Sequence, residues 1–213
     1  MKIVAIGAHP DDYEIGAGMR LIHHVRKQDE VIGIICSYGE RAGDIETRIR
    51  EAMKAAEFIG MKDIYILGLP DTRFPDVEVI KDRIEEIILS INPAVVYSHF
   101  PNDRHQDHRA VALATTIACR KVPSILAYRS PSTDFNLFQP HLFHIGLHDD
   151  FIKKRELLQI YRSQMEREQG VRLKQMMLDS RFYGSVVGRY SKLPIYAEPF
   201  CANHFVLNYG EVI

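Results

Sequence analysis

Lys2-Ile-Val-Ala-Ile-Gly-Ala-His-Pro-Asp-Asp12 is the stretch that decides the fold. Residues 3–8 make an apolar run of the length of a buried strand, and the run stops at a histidine, a proline and two carboxylates. Buried strands of α/β proteins carry ligands just beyond their carboxyl ends, where this polar cluster begins. Pro10 biases His9 toward an extended backbone and itself suits the first turn of a helix, so a strand is expected to end and a helix to begin at once. Asp11 and Asp12 are expected in that first turn. There the helix dipole favours ionised carboxylates, the state that metal ligation or general-base work requires.

Working outward, further strand-like segments follow at residues 31–36, 64–69, 94–99 and 124–128, alternating with helical patterns. Ile49, Met53, Ala56 and Ile59 recur at helical spacing, as do Ile80, Ile84, Ile87, Ile88 and Ile91, and each stripe is expected to face a sheet. Gly60 and Asn92-Pro93 supply stop signals. Right-handed crossovers then predict a Rossmann-like three-layer α/β sandwich with a mostly parallel sheet. The 213 residues, 46% of them hydrophobic, suit one domain over 1–213, with a regular core over about 1–130 and a less regular portion from 131. In that portion a strand is expected near 142–145 and a helix over about 149–162.

A formal net charge of −1 gives no electrostatic reason to expect a nucleic acid or an anionic membrane as partner, which favours a small molecule. Cys36, Cys119 and Cys201 are scattered and odd in number, which argues against a disulfide framework and suits a reducing cytoplasm. No stretch approaches the roughly 20 apolar residues of a membrane span.

The second polar constellation is Ser98-His-Phe-Pro-Asn-Asp-Arg-His-Gln-Asp-His108, after the fourth strand and before an alanine-rich helical stretch. Two strand ends can lie side by side, so His9 and Asp12 are expected to meet His105, Asp107 and His108 in one pocket. Two histidines and a carboxylate then make a metal site. Zinc accepts such ligands and keeps a position open for water.

Ala8-His-Pro-Asp-Asp12 together with His105-Gln-Asp-His108 resembles the fingerprints of the LmbE-like, or PIG-L, family of zinc-dependent N-acetylglucosaminyl deacetylases. Shorter similarities extend along the chain: Arg48-Ile-Arg-Glu51, Leu69-Pro-Asp71, Tyr128-Arg-Ser130, Ser163-Gln164 and Ala197-Glu198. The resemblance implies Zn²⁺, with Fe²⁺ and other divalent metals as further candidates, on His9, Asp12 and His108. It implies Asp11 as general base and His105 as acid or oxyanion stabiliser. It also implies an N-acetylated sugar as substrate and is compatible with a homo-oligomer. The chemistry of the residues agrees, because Asp11 is adjacent to a ligand yet not spent on the metal, and Asp107 is placed to orient His105 or His108. Arg48, Asp71, Asn102 and Arg129 are expected substrate-binding residues. A two-histidine, one-carboxylate triad also holds Fe(II) in oxygenases, and Gly7, Gly16 and Gly18 raise a nucleotide-binding module, although their spacing is not GxGxxG.

Overall fold

The computed structural model describes residues 1–167, 171–189, 191, 192 and 194–206, the side chains of 171–173 apart. Five strands run parallel: β1 (Lys2–Gly7), β2 (Glu30–Ser37), β3 (Asp63–Leu69), β4 (Val95–His99) and β5 (Ser124–Tyr128). Two more, β6 (Leu142–Gly146) and β7 (Tyr196–His204), are antiparallel additions, giving the order β3-β2-β1-β4-β5-β7-β6. β1 lies between β2 and β4, with Ile3 opposite both Val31 and Val95. The strand order therefore reverses between β1 and β4. In open α/β sheets the crevice beyond the carboxyl ends at such a reversal is where ligands bind. Both polar constellations leave the sheet at that place.

Alternation along β1 separates two cores. Ile3 and Ala5 join Tyr13, Ala17 and Leu21 of α1 (Asp12–Arg26), Ala52, Ala55 and Ile59 of α2 (Ile45–Ile59) and Leu157 of α5 (His148–Gln159). Val4 and Ile6 face the other way, onto Ile80, Ile84, Ile88 and Ile91 of α3 (Val77–Ile91) and Val111, Ala114 and Ala118 of α4 (Gln106–Ala118). Burying each large aliphatic side chain contributes about 1.5–3 kcal/mol, so both helical layers are held by the same mechanism. The stop signals act as the sequence implies: Gly60 closes α2 at φ 85° and Asn92 closes α3 at φ 52° before Pro93.

Four local expectations change. Helix α1 starts at Asp12, two residues later than Pro10 suggests, because Asp11 is its N-cap with φ 98° in the left-handed region. Met53 is 50% exposed, and the buried face of α2 is instead Arg48, Glu51, Ala52, Ala55, Ala56 and Ile59. Two charged residues on the inner face turned the apparent stripe, since periodicity counts only apolar positions. The helix expected over 149–162 ends at Gln159, with a short α6 (Arg162–Arg167) after it. The less regular portion contains two further elements, α7 (Val171–Val187) and β7.

β7 escaped notice because Pro199 and a buried Glu198 break its apolar pattern. Glu198 accepts from the backbone N–H groups of Met19 and Arg20 at 2.9 and 2.8 Å and from Lys154 Nζ at 2.6 Å. The carboxylate thereby ties β7 to α1 and α5. Residues beyond 206 lie outside the described part. Gly16, which raised a nucleotide loop, sits within α1 against Tyr128, where a Cβ would come within 2.2 Å of the ring. The glycine serves helix-to-sheet packing. Among the described residues, no helix is long and apolar enough to cross a membrane.

Candidate active site

The turn after β1 and the start of α4 meet at the strand-order reversal and line one cavity of ≈ 210 Å³ with loops 39–42, 71–72 and 131–132 and with α6. His9, Asp11, Asp12, Arg48, Asp71, His105 and His108 all border it. The positive φ of Asp11 follows from the turn that must present two adjacent carboxylates to one cavity, and such strain concentrates at functional sites.

His9 has two differently used ring nitrogens. Nε2 lies 3.1 Å from both Asp71 Oδ1 and Asp107 Oδ2, whereas Nδ1 lies 3.4 Å from Asp12 Oδ2. His108 repeats the pattern: Nδ1 is 3.2 Å from Asp103 Oδ2, and Nε2 is 3.4 Å from Asp12 Oδ1. Each ring thus points one nitrogen at an outer carboxylate and the other at Asp12. One donor atom from each of His9, Asp12 and His108 lies within 4.8 Å of the others, and so does a second set, His9, His105 and Asp107. The second set would take His9 Nε2 away from its carboxylates or share it with them. The first leaves those orienting bonds intact, as histidines that hold metals normally require. The donors therefore fit a divalent cation.

Charge argues the same way. Burial lowers the pKa of His108, but the charge of Asp12 and the hydrogen bond to Asp103 outweigh it and push the value up to about 9. Burial likewise opposes the proton on His9, and hydrogen bonds to Asp107, Asp12 and Asp71 raise its pKa well above the ordinary value. Asp12, which burial would raise, is held well below the carboxylate range by His108 and His99. The carboxylates attract positive charge to the two nitrogens, and a cation can replace those protons.

His105 caps α4, its Nδ1 accepting from Asp107 N–H at 3.3 Å, which puts the proton of the neutral ring on Nε2. Burial, followed by the charges of His108 and His9, lowers its pKa and favours that neutral form. Asp107 does not orient His105 or His108 as the sequence suggests. Its Oδ2 serves His9 and accepts from Thr72 N–H at 2.8 Å.

Of the four expected substrate residues, two reach the cavity. Arg48 is 1% exposed, with Nη2 donating to the Pro10 carbonyl at 2.6 Å and lying 3.6 Å from Asp11 Oδ2. Asp71 borders the cavity while holding His9 and accepting from Arg41 N–H at 3.0 Å. Asn102 is exposed and does not line the cavity; its carbonyl accepts from Asp134 N–H. Arg129 is turned away from it, pairs with Asp179 and lies over Phe135.

Sequence reasoning left two residues without a role that the structure supplies. Asp103 accepts from Ser130 Oγ at 2.5 Å, Ser132 Oγ at 2.6 Å, Thr133 Oγ1 at 3.0 Å and His105 N–H at 2.8 Å, and so fixes the carboxylate that faces His108. Its position two residues before His105, with Ser130-Pro-Ser-Thr133 beyond the next strand, was the available signal. His99 ends β4 fully enclosed, stacked on His108 at 4.0 Å and 14°, with Nε2 accepting from Ala8 N–H at 3.0 Å and lying 3.1 Å from Asp12 Oδ2. Burial and the charge of His108 lower its pKa to about 4, so it touches two of the candidate ligands as a neutral ring.

A family model described as PIG-L, GlcNAc-PI de-N-acetylase, matches residues 4–119, a span holding both constellations. The uncharacterized deacetylase YaiS of Escherichia coli (strain K12) is 34% identical over 168 residues, which cover 76% of this chain and 90% of that protein. Among solved structures, N,N'-diacetylchitobiose deacetylase from Pyrococcus horikoshii superposes with a TM-score of 0.78 at 21% identity, over 94% of this chain and 83% of that one. GalB, the 4-carboxy-2-hydroxymuconate hydratase of Pseudomonas putida KT2440, superposes with a TM-score of 0.85 at 17% identity, over 99% of each chain. These two likenesses show the fold, and since one belongs to a hydratase, the fold by itself leaves the reaction open. The match over both polar segments and the long alignment with a deacetylase go further than shape: the chain belongs to the PIG-L family.

Proposed function

We propose that this protein is a zinc-dependent hydrolase that removes the acetyl group from an N-acetylated amino sugar or its conjugate. One observation carries the reading: His9, Asp12 and His108 converge while Asp11, beside them, borders the same cavity outside that donor set. Family membership supplies the deacetylase class. His9, Asp12 and His108 would hold the cation. When bound, it supplies Lewis-acid polarisation of a carbonyl and lowers the pKa of water to about 7.

Asp11 takes the proton of the water that adds to the amide carbon, and the tetrahedral oxyanion meets the Nε2–H of neutral His105. The C–N bond then breaks. Asp11 returns its proton to the leaving nitrogen, which gives acetic acid and a free amine, and the acid's remaining proton passes to the amine or to solvent to leave acetate. His105 works in this scheme as a hydrogen-bond donor, in keeping with its lowered pKa. Asp107, Asp71 and Asp103 orient the rings of His9 and His108, and Arg48 steadies the Pro10–Asp11 turn from below.

Acetate release from a panel of N-acetylglucosamine derivatives tests the reading, with zinc-loaded wild type against Asp11→Asn. Release by wild type and its loss by about 10²–10⁴-fold in the variant is the expected result. Absence of metal-dependent release across the panel overturns the proposal.

A further inference from the structure

Helix α1 begins at Asp12 and carries Arg20 further along. At 1.5 Å per residue that side chain starts about 12 Å down the axis from the candidate active site. Beside it lies a separate pocket of ≈ 190 Å³ on the sheet face that α1 packs against. Tyr97 of β4, Leu126 of β5 and Phe200 of β7, all buried, form its floor, with the rings of Tyr97 and Phe200 5.4 Å apart. Leu142 and His144 of β6 supply a wall, and Phe205, 42% exposed, the lip. None of these residues borders the cavity at the other end of α1.

Among the described lining residues Arg20 alone carries a formal charge, and that charge is unanswered. Its Nε donates to the uncharged hydroxyl of Tyr97 at 2.9 Å, and its guanidinium forms no ion pair among the described residues. The surrounding carboxylates are committed elsewhere. Asp29 serves His24 and the N-terminal amine, Asp150 serves Arg26, and Glu198 serves Lys154 and the backbone N–H groups of Met19 and Arg20. Burial and the charge of Arg20 lower the pKa of His144 to about 3 and that of His24 to about 4, so both rings stay neutral beside it.

A guanidinium presents a planar fork of donors that matches a carboxylate, whereas the walls of this pocket are aromatic and aliphatic and match a ring. Its volume is on the scale of the roughly 150 Å³ that accommodates benzene. A neutral ring would leave Arg20 unanswered, and a sugar or inorganic anion would leave the apolar walls unfilled. We infer that this pocket is a ligand site in its own right for a small aromatic carboxylate, whose ring seats among Leu142, Phe200 and Phe205 while its carboxylate meets the Nη atoms of Arg20.

The test is methyl-resolved NMR of the zinc-loaded protein titrated with phenylacetate, phenylacetamide and acetate. Phenylacetate is expected to shift the Leu126 and Leu142 methyls saturably. Phenylacetamide, which lacks the charge, and acetate, which lacks the ring, should bind there at least about tenfold more weakly. Arg20→Gln should weaken phenylacetate by about tenfold, and Phe205→Ala, at an exposed position outside the core, by about threefold, both with zinc content unchanged. The methyls of Ile15, which borders the candidate active site, report any carboxylate bound there instead. Shifts confined to Ile15, no saturable shift at Leu126 and Leu142, equal affinity for phenylacetate and phenylacetamide, or unchanged affinity in both variants overturns the inference.

Discussion

Two histidine–aspartate pairs in this molecule have similar parts and opposite characters. At the cavity His108 Nδ1 faces Asp103, and at the far end of α1 His24 Nδ1 lies 2.7 Å from Asp29 Oδ2. The difference is in the other nitrogen. His108 Nε2 faces a second carboxylate, Asp12, whereas His24 Nε2 lies 2.9 Å from Tyr97 Oη, which also accepts from Arg20 Nε at 2.9 Å. Negative charge on both sides pushes His108 up to about 9; burial and the neighbouring Arg20 lower His24 to about 4. A histidine–carboxylate pair is therefore not a site by itself. It becomes one when the free nitrogen faces unbalanced negative charge that a cation can answer.

The largest expected contrast lies between the two regions' roles in turnover. His9→Ala, Asp12→Ala or His108→Ala should lose both metal and activity, while Asp11→Asn keeps metal and loses turnover. Metal content by atomic spectroscopy, set beside acetate release, separates the two classes; metal loss in Asp11→Asn would break the division of labour. His24→Gln should retain metal and stay within about twofold of wild-type rate, since nothing in its network borders the cavity.

Next in size is the dependence of stability on pH, where the pairs should act with opposite signs. His24 has its folded pKa below the ordinary 6.5, so the unfolded chain takes up the proton first. Its contribution is present above about 6.5 and is lost as pH falls toward about 4, on the order of 3 kcal/mol. His108 in metal-free protein has its folded pKa raised, so its contribution is full below about 6.5 and is lost as pH rises through about 9. Urea midpoints of metal-free wild type, His24→Gln and His108→Gln across pH 4–9 check this. The comparison fails if the first variant does not flatten the acid limb or the second the alkaline one.

The smallest effect concerns Asp103, the carboxylate behind His108. Asp103→Asn keeps the shape but removes the charge and should weaken zinc binding by about 10–100-fold, with a shifted visible spectrum of the cobalt-substituted protein. An Asp103→Asn protein with unchanged affinity and spectrum would mean that the hydroxyl cluster around Asp103 only shapes the loop.

Much of this was legible in the residues because it depends on local chemistry. Apolar runs of strand length, isoleucines at helical spacing and stop signals at Gly60 and Asn92 act within a few residues of chain, and they specified the parallel core. That His9, Asp11, Asp12, His105 and His108 would border one cavity was legible because one motif directly follows β1 and the other opens the helix after β4. The tail resisted for the converse reason: β7 is a strand in spite of its sequence, held by neighbours on both sides and by a buried glutamate bonded to α1.

The sequence by itself determined an α/β core and two acid–histidine turns at strand ends, since periodicity and turn chemistry are short-range. Only the tertiary structure decided which carboxylate serves which ring. Asp107 reaches His9 and His99 stacks on His108 beside Asp12 because β1 and β4 lie side by side, while Asp103 is aimed at His108 by the hydroxyls of Ser130, Ser132 and Thr133 beyond β5. Partner choice depends on which strand ends the sheet brings together, and no local pattern records that.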